Sequence, residues 1–340
     1  MDVSDFEYDL PAAAIAQVPV EPRDAARLLV DRGAGKPPAD QTVAELADLV
    51  GPGDVLVVND SRVLPARLLL RKATGGAVEV LLLEQRADRS WEALVRPSRR
   101  VARGTIVTMP GLGVEIGEDL GGGRHCVRLD TGELDEQVAL ERYGEVPLPP
   151  YISEKLADPE RYQTVFARRP VSVAAPTAGL HLTRDVLARC EVAGARIEKI
   201  ELAVGAGTFR PITAANVEEH HMHAEAYQIS PEVLETCKQA RRVIAIGTTV
   251  VRALESAATT GETEGSTELF IRRGHRFAVV DSLLTNFHVP RSSLLVLIDA
   301  FVGPRWRELY DIALERSYRF LSFGDAMLLH RADPSDGPSR

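Results

Sequence analysis

Apolar and polar positions divide the 340-residue chain into three textures. In residues 1–66, Leu10-Pro-Ala-Ala-Ala-Ile-Ala predicts a proline-initiated helical turn. Gln41 to Val50 predicts a short amphipathic helix stopped by Gly51-Pro-Gly, and Asp54-Val-Leu-Val-Val-Asn-Asp-Ser-Arg a buried strand with a polar end. Residues 67–150 read differently. Val78–Leu83, Trp91–Val95, Thr105–Met109, Val114–Ile116 and Cys126–Leu129 predict short strands, separated by turns such as Gly121-Gly-Gly. Strands without intervening helices predict a small antiparallel β-barrel. Val146-Pro-Leu-Pro-Pro-Tyr is stiff and extended, as a domain exit would be.

From residue 151 onward strands and helices alternate. Thr183–Gly194 predicts a capped helix, Arg196–Gly205 a strand, Pro231–Arg241 a helix, Val243–Gly247 a buried strand and Thr248–Ala258 a helix. Phe277–Leu284 predicts a further strand, and Leu294–Val302 a helix that Ser292 or Ser293 would cap. Alternation implies a mixed or largely parallel sheet. The expected fold is therefore a mixed α/β, barrel-like main domain, residues 1–66 and 151–340, interrupted by the β-barrel of residues 67–150.

Composition narrows the class. With 45% hydrophobic and 26% charged residues the chain is an ordinary globular protein, long enough to bury a full core. A net charge of −9 argues against a nonspecific nucleic-acid coat, but phosphate contacts are local and a basic patch would suffice for an RNA enzyme. Cys126, Cys190 and Cys237 lie far apart and form no metal-type pair, which favours a reducing compartment. The acidic start Met1-Asp-Val-Ser-Asp lacks an apolar signal core, and no run approaches the ~20 apolar residues of a bilayer span. The expectation is a cytoplasmic protein with no membrane partner.

Candidate chemistry sits at strand ends. The stretch Leu284-Thr-Asn-Phe-His-Val-Pro-Arg-Ser-Ser carries Asn286, His288 and Arg291 where a turn alone needs none of them. Asn59-Asp-Ser-Arg62 ends the first buried strand, with Asp60 and Arg62 either touching a ligand or forming a surface pair. Ala174-Ala-Pro-Thr-Ala-Gly-Leu-His offers Thr177 and His181 in a small-residue loop, where His181 is otherwise a packed core imidazole. Val204-Gly-Ala-Gly-Thr-Phe-Arg-Pro lacks the third glycine of a dinucleotide fingerprint and predicts a tight turn presenting Thr208 and Arg210. Gly247-Thr-Thr-Val-Val-Arg predicts an anion site at a helix start, with Thr248 and Thr249; Arg252 and Glu255 stand at a spacing that also allows a simple helix pair. In His220-His-Met-His-Ala-Glu, His221, His223 and Glu225 would share one strand face. A metal there lacks a completing His or Cys pair, and an acid–base pair of His223 and Glu225 competes with it.

These segments together resemble one family, the S-adenosylmethionine:tRNA ribosyltransferase-isomerases of queuosine biosynthesis. The markers are Gly53-Asp-Val-Leu-Val-Val-Asn-Asp-Ser-Arg-Val-Leu-Pro-Ala-Arg67, Ala174–His181, Val204–Pro211, Ile246–Ser256 and Leu284–Pro290. Five long segments in one order are specific where any single Gly-x-Gly is weak. The resemblance implies transfer and isomerisation of the ribosyl part of S-adenosylmethionine onto 7-aminomethyl-7-deazaguanine at the tRNA wobble position. Epoxyqueuosine forms, and adenine and methionine leave. It implies no metal or cofactor beyond S-adenosylmethionine as co-substrate, a tRNA with a GUN anticodon as partner, and a monomer.

That chemistry asks for a base to take a proton beside the sulfonium, hydrogen bonds at the departing purine, and a neutral attacking amine. The expected bases are His223 with Glu225, or His288 with Asp281. Thr248, Thr249 and Arg252 are expected to hold the methionine carboxylate or a phosphate, and Asp60 and Arg62 the deazaguanine or ribose, with Thr177, His181, Thr208, Arg210 and Asn286 completing the substrate site. Arg96, Arg99 and Arg100, with Arg103 nearby, and Arg168 with Arg169, are the expected tRNA contacts. Two other classes compete: a metal-dependent hydrolase built on His221 and His223, and a non-catalytic RNA-binding protein.

Overall fold

The computed structural model describes residues 1–205 and 212–332. The chain divides into two compact units: Met1–Arg62, Pro149–Arg169 and Ala175–Arg340 form one, Val63–Leu148 with Pro170–Ala174 the other. The smaller unit thus begins a few residues before the sequence boundary at 67 and gains a short later segment.

The smaller unit is a closed six-stranded antiparallel barrel of Arg67–Lys72, Ala77–Gln85, Trp91–Arg96, Ile106–Met109, Leu112–Gly121 and Arg124–Asp130. Alternation fills its interior: Leu68, Leu70, Val78, Val80, Leu82, Ala93, Val95, Val107, Val114, Ile116 and Val127 are all buried. The Arg67–Lys72 strand escapes a reading by apolar runs, because its inward leucines are spaced by exposed Leu69 and Arg71. A helix, Glu136–Tyr143, packs on the barrel with Asp135 as its cap. Its Glu136 accepts the Trp91 indole N–H at 2.9 Å.

The larger unit is built on a nine-stranded mixed sheet. Its order is Glu264–Thr267, Glu225–Gln228, Arg196–Leu202, Asp54–Asn59, Arg242–Ile246, Ser282–Asn286, Ala326–His330, Arg27–Val30 and Ala39–Thr42. Arg196–Leu202, Asp54–Asn59, Arg242–Ile246 and Ser282–Asn286 are parallel neighbours, so their carboxyl ends line one edge. Asp54–Asn59 is buried at all six positions, as expected of a strand covered on both faces. No helix among the described residues is long and apolar enough to cross a membrane.

Three local causes set the positions of the elements that matter. Thr42 and Glu45 form a reciprocal capping box that starts the Val43–Leu49 turn, which winds as a 3₁₀ rather than an α-helix. Gly247 sits at φ +99° between the Arg242–Ile246 strand and the Thr248–Thr260 helix, a left-handed geometry that favours glycine. The strand expected over Phe277–Leu284 begins only at Ser282, because buried Glu255 captures the amides of Ala278, Val279 and Val280 at 2.7, 3.0 and 3.0 Å. Those three donors are then lost to a strand ladder.

Candidate active site

The carboxyl ends of the parallel strands open into a cleft. One part, with about 340 Å³ of empty space, is lined by Ala175, Pro176, Thr177, Thr248, Thr249 and His288 among others. An adjoining part, about 320 Å³, shares Thr177, His288 and Leu294 and adds Tyr151, Asn286 and Ser322. Thr177, Thr248, Thr249, Asn286 and His288, drawn from three distant segments, thus meet in one place. Open α/β sheets bind ligands at this edge.

The loop carrying His288 is held on both sides. Phe287 is fully buried and stacks on Phe320 with ring centroids 4.6 Å apart. The His288 amide donates to Tyr310 Oη at 3.0 Å, and Tyr8 Oη donates to the His288 carbonyl at 2.5 Å. The imidazole Nε2 lies 3.1 Å from Thr285 Oγ1. Burial disfavours the imidazolium and pulls the His288 pKa down to about 3, so the ring is neutral at neutral pH. Ser292 caps the following helix by accepting from the Leu295 amide, which fixes where the loop ends.

Asn286, the last residue of its strand, organises a second contact set. Its Oδ1 accepts from Thr177 Oγ1 at 2.9 Å, and its Nδ2 donates to His181 Nε2 at 2.8 Å and to the Leu321 carbonyl at 3.2 Å. His181 must then carry its proton on Nδ1. Burial, followed by the charges of Arg319, Arg161 and Arg23, brings its pKa down to about 4. Asn59 ties the neighbouring strand to the same edge. Its amide donates to the Leu202 carbonyl at 3.0 Å and reaches Thr249 Oγ1 at 3.4 Å.

Several expected site residues are used differently. Asp281 stands at the opposite end of the strand from His288, where it accepts the Val243 amide at 2.9 Å, so the two do not form an acid–base pair. Arg252 is buried and pairs with Glu225, while donating to the carbonyls of Leu269 and Thr267. It is occupied within the core rather than presented to a carboxylate or phosphate. Glu225 also accepts the Gly205 amide at 2.9 Å. Its strand starts at Glu225 itself, so His221 and His223 precede the strand and are exposed, and the shared face expected for the three does not form. Among the described residues, no three His, Cys, Asp or Glu side chains gather as a metal cluster. Thr208 and Arg210 lie outside the described residues.

Asp60 is buried at the end of its strand, 3.1 Å from Arg168 Nε, and burial raises its pKa. Arg62 turns away to an ion pair with Glu160 on the surface. Arg169 pairs with Glu201 at 3.1 Å, so both arginines of that dipeptide already face carboxylates. Arg96, Arg99, Arg100 and Arg103 are exposed on the barrel unit, and Lys72 Nζ donates to the Arg100 carbonyl, adding a fifth cation beside them. Arg291 is exposed, 3.7 Å from Glu7.

Tyr151 and Ser322 carry little signal in the sequence, yet they meet in the cleft with oxygens 2.7 Å apart. The aromatic ending of Pro149-Pro-Tyr is the one available signal for the first; Ser322, between Leu321 and Phe323, carries none.

Comparison with known proteins matches this architecture to one group. Residues 3–329 match the family model described as queuosine biosynthesis protein. The S-adenosylmethionine:tRNA ribosyltransferase-isomerase of Rubrobacter xylanophilus is 48% identical over 331 residues, covering 97% of this chain and 98% of that protein. The enzyme of the same name from Thermus thermophilus is 50% identical, covering 95% and 98%. The crystal structure of S-adenosylmethionine tRNA ribosyltransferase from Thermotoga maritima is 34% identical and superposes with a TM-score of 0.54, covering 96% of this chain and 99% of that one. The chain belongs to the queuosine biosynthesis protein family.

Proposed function

We propose that this protein is an S-adenosylmethionine:tRNA ribosyltransferase-isomerase. It transfers and isomerises the ribosyl moiety of S-adenosylmethionine onto 7-aminomethyl-7-deazaguanine at the wobble position of a tRNA with a GUN anticodon, releasing adenine and methionine. The observation that carries this reading is the convergence of Thr177, Thr248, Thr249, Asn286 and His288 on one cleft, in a chain 48–50% identical over nearly its whole length to enzymes of that name.

The residues suit the chemistry. His288 and Tyr151 are the titratable groups among the described cleft-lining residues. A neutral imidazole lining the cleft can hydrogen-bond the purine or ribose. The hydroxyls of Thr248 and Thr249 and the first amides of the Thr248–Thr260 helix offer donors to an oxyanion. Asp60, with its raised proton affinity, suits an amine that must shed a proton before attack. Arg96, Arg99 and Arg100 on the barrel supply phosphate contacts for tRNA. The protein acts in the cytoplasm, as a monomer, with S-adenosylmethionine as co-substrate and no metal.

The test is product analysis with tRNA carrying the aminomethyl-deazaguanine base. Adenine and methionine released in equal amounts, one per modified nucleoside, support the reading. Formation of S-adenosylhomocysteine would make the protein a methyltransferase. Consumption of neither substrate, with tRNA binding retained, would leave a binding protein.

A further inference from the structure

Next to the cleft lies a second, small hollow, lined by Pro19, Val20, Arg23, Arg161, Leu180, His181, Ser322 and Phe323. Ser322 belongs to both cavities, and His181, which lines the hollow, is hydrogen-bonded to Asn286 of the cleft. Two guanidiniums line it, and a third, Arg319, lies close enough to act with them on the His181 imidazole. No carboxylate is among the lining residues.

Arg23 and Arg319 spend their hydrogen bonds on backbone carbonyls, which do not neutralise them. Arg23 donates to the carbonyls of Gln163 at 2.7 Å, Leu180 at 3.3 Å and Glu160 at 2.9 Å. Arg319 donates to those of Val18 at 3.2 Å and Phe323. Arg161 donates Nη2 to the Val20 carbonyl at 2.8 Å and pairs with exposed Glu21 through Nε, while its Nη1 is buried with no hydrogen-bond partner. Glu21, Asp158 and Glu160 act on Arg23, but Glu21 is shared with Arg161 and Glu160 is itself paired with Arg62, so three guanidiniums share fewer carboxylates. A concave site with excess guanidinium charge and a buried idle N–H is built to receive an oxyanion.

We propose that the Arg23–Arg161–Arg319 hollow is an oxyanion subsite of the active site, taking either the amino-acid carboxylate of S-adenosylmethionine or a tRNA phosphate. The inference rests on the reading given under Proposed function. It supplies the guanidinium that Arg252, buried against Glu225, does not present. Arg161 is the residue to test, since Arg23 also braces three carbonyls.

Steady-state kinetics of Arg161→Gln and Arg319→Gln distinguish the two sources, with decarboxylated S-adenosylmethionine as the probe. If the carboxylate sits here, each variant raises KM for S-adenosylmethionine about tenfold or more, given the ~1.5–3 kcal/mol of a charged hydrogen bond. KM for the decarboxylated analogue then stays unchanged, and Arg161→Lys restores part of the loss. If a phosphate sits here, KM for tRNA rises instead and its dependence on salt flattens. Unchanged KM for both substrates in both variants, or a fall in kcat alone, overturns the subsite. If the wild-type protein releases no adenine, the function itself has failed, which is a separate outcome.

Discussion

Asn286 Nδ2 donates to His181 Nε2 over 2.8 Å, joining the end of a buried strand to a small-residue loop 105 positions earlier. The same side chain accepts from Thr177, so one amide sets both the imidazole tautomer and a hydroxyl of the cleft. Asn286→Ala leaves the Thr177, His181 and Leu321 groups without their partner. Urea unfolding should show a loss of about 1–3 kcal/mol, the cost of buried polar groups left unpaired. Turnover at saturating substrate should fall more than tRNA affinity does; the reverse order would mean that the amide does not serve the cleft.

The Glu225–Arg252 pair is a stability element. Both side chains are nearly fully buried. Glu225→Gln keeps the shape but leaves the guanidinium charge uncompensated, which should cost about 3–5 kcal/mol in chemical denaturation. A change below 1 kcal/mol would show that water reaches Arg252.

Folding stability should fall in mild acid. His181 and His288 titrate at about 4 and 3 in the folded protein, against an ordinary value of 6.5. Between those values the unfolded chain binds more protons, so stability is full above about pH 6.5 and declines as pH drops below it. Each histidine contributes on the order of 1 kcal/mol of loss by pH 5.5. Urea midpoints at pH 7.5 and 5.5 should separate for the native sequence and draw together in His181→Asn/His288→Asn. An unchanged separation would assign the acid sensitivity to other groups.

Reversing charge at Arg99 and Arg100 should weaken tRNA binding and leave S-adenosylmethionine binding as it was. If both arginines contact phosphates, the slope of log affinity against log salt should shrink by roughly 2. Equal tRNA affinity would move the footprint off this face of the barrel.

Much of this architecture can be read from residue patterns, for identifiable reasons. The barrel announces itself through short strands without helices, and the α/β unit through apolar runs alternating with capped helices. The start of the Ser282–Asn286 strand is not legible in the sequence because it depends on Glu255, a residue on a different element that removes three amides from pairing. The site follows the same rule. Thr248, Thr249, Asn286 and His288 are recognisable as polar groups at strand ends, where the backbone itself fixes their location, and Thr177 as a polar group in a small-residue loop. Arg62, Arg252 and Asp281 have the right chemistry, but their direction is set by Glu160, Glu225 and the Val243 amide, partners far away in sequence. The arginine hollow is not legible for the same reason, since Arg23, Arg161 and Arg319 come from three unconnected segments.

Ribosyl transfer is proposed to occur in the cleft around Thr177 and His288. The decisive measurement is the single-turnover rate of adenine release by His288→Ala, with tRNA and S-adenosylmethionine both saturating. A loss of at least ~10²-fold is expected, typical of removing a preorganised hydrogen-bonding group, with tRNA affinity preserved. A rate close to that of the native protein would contradict it.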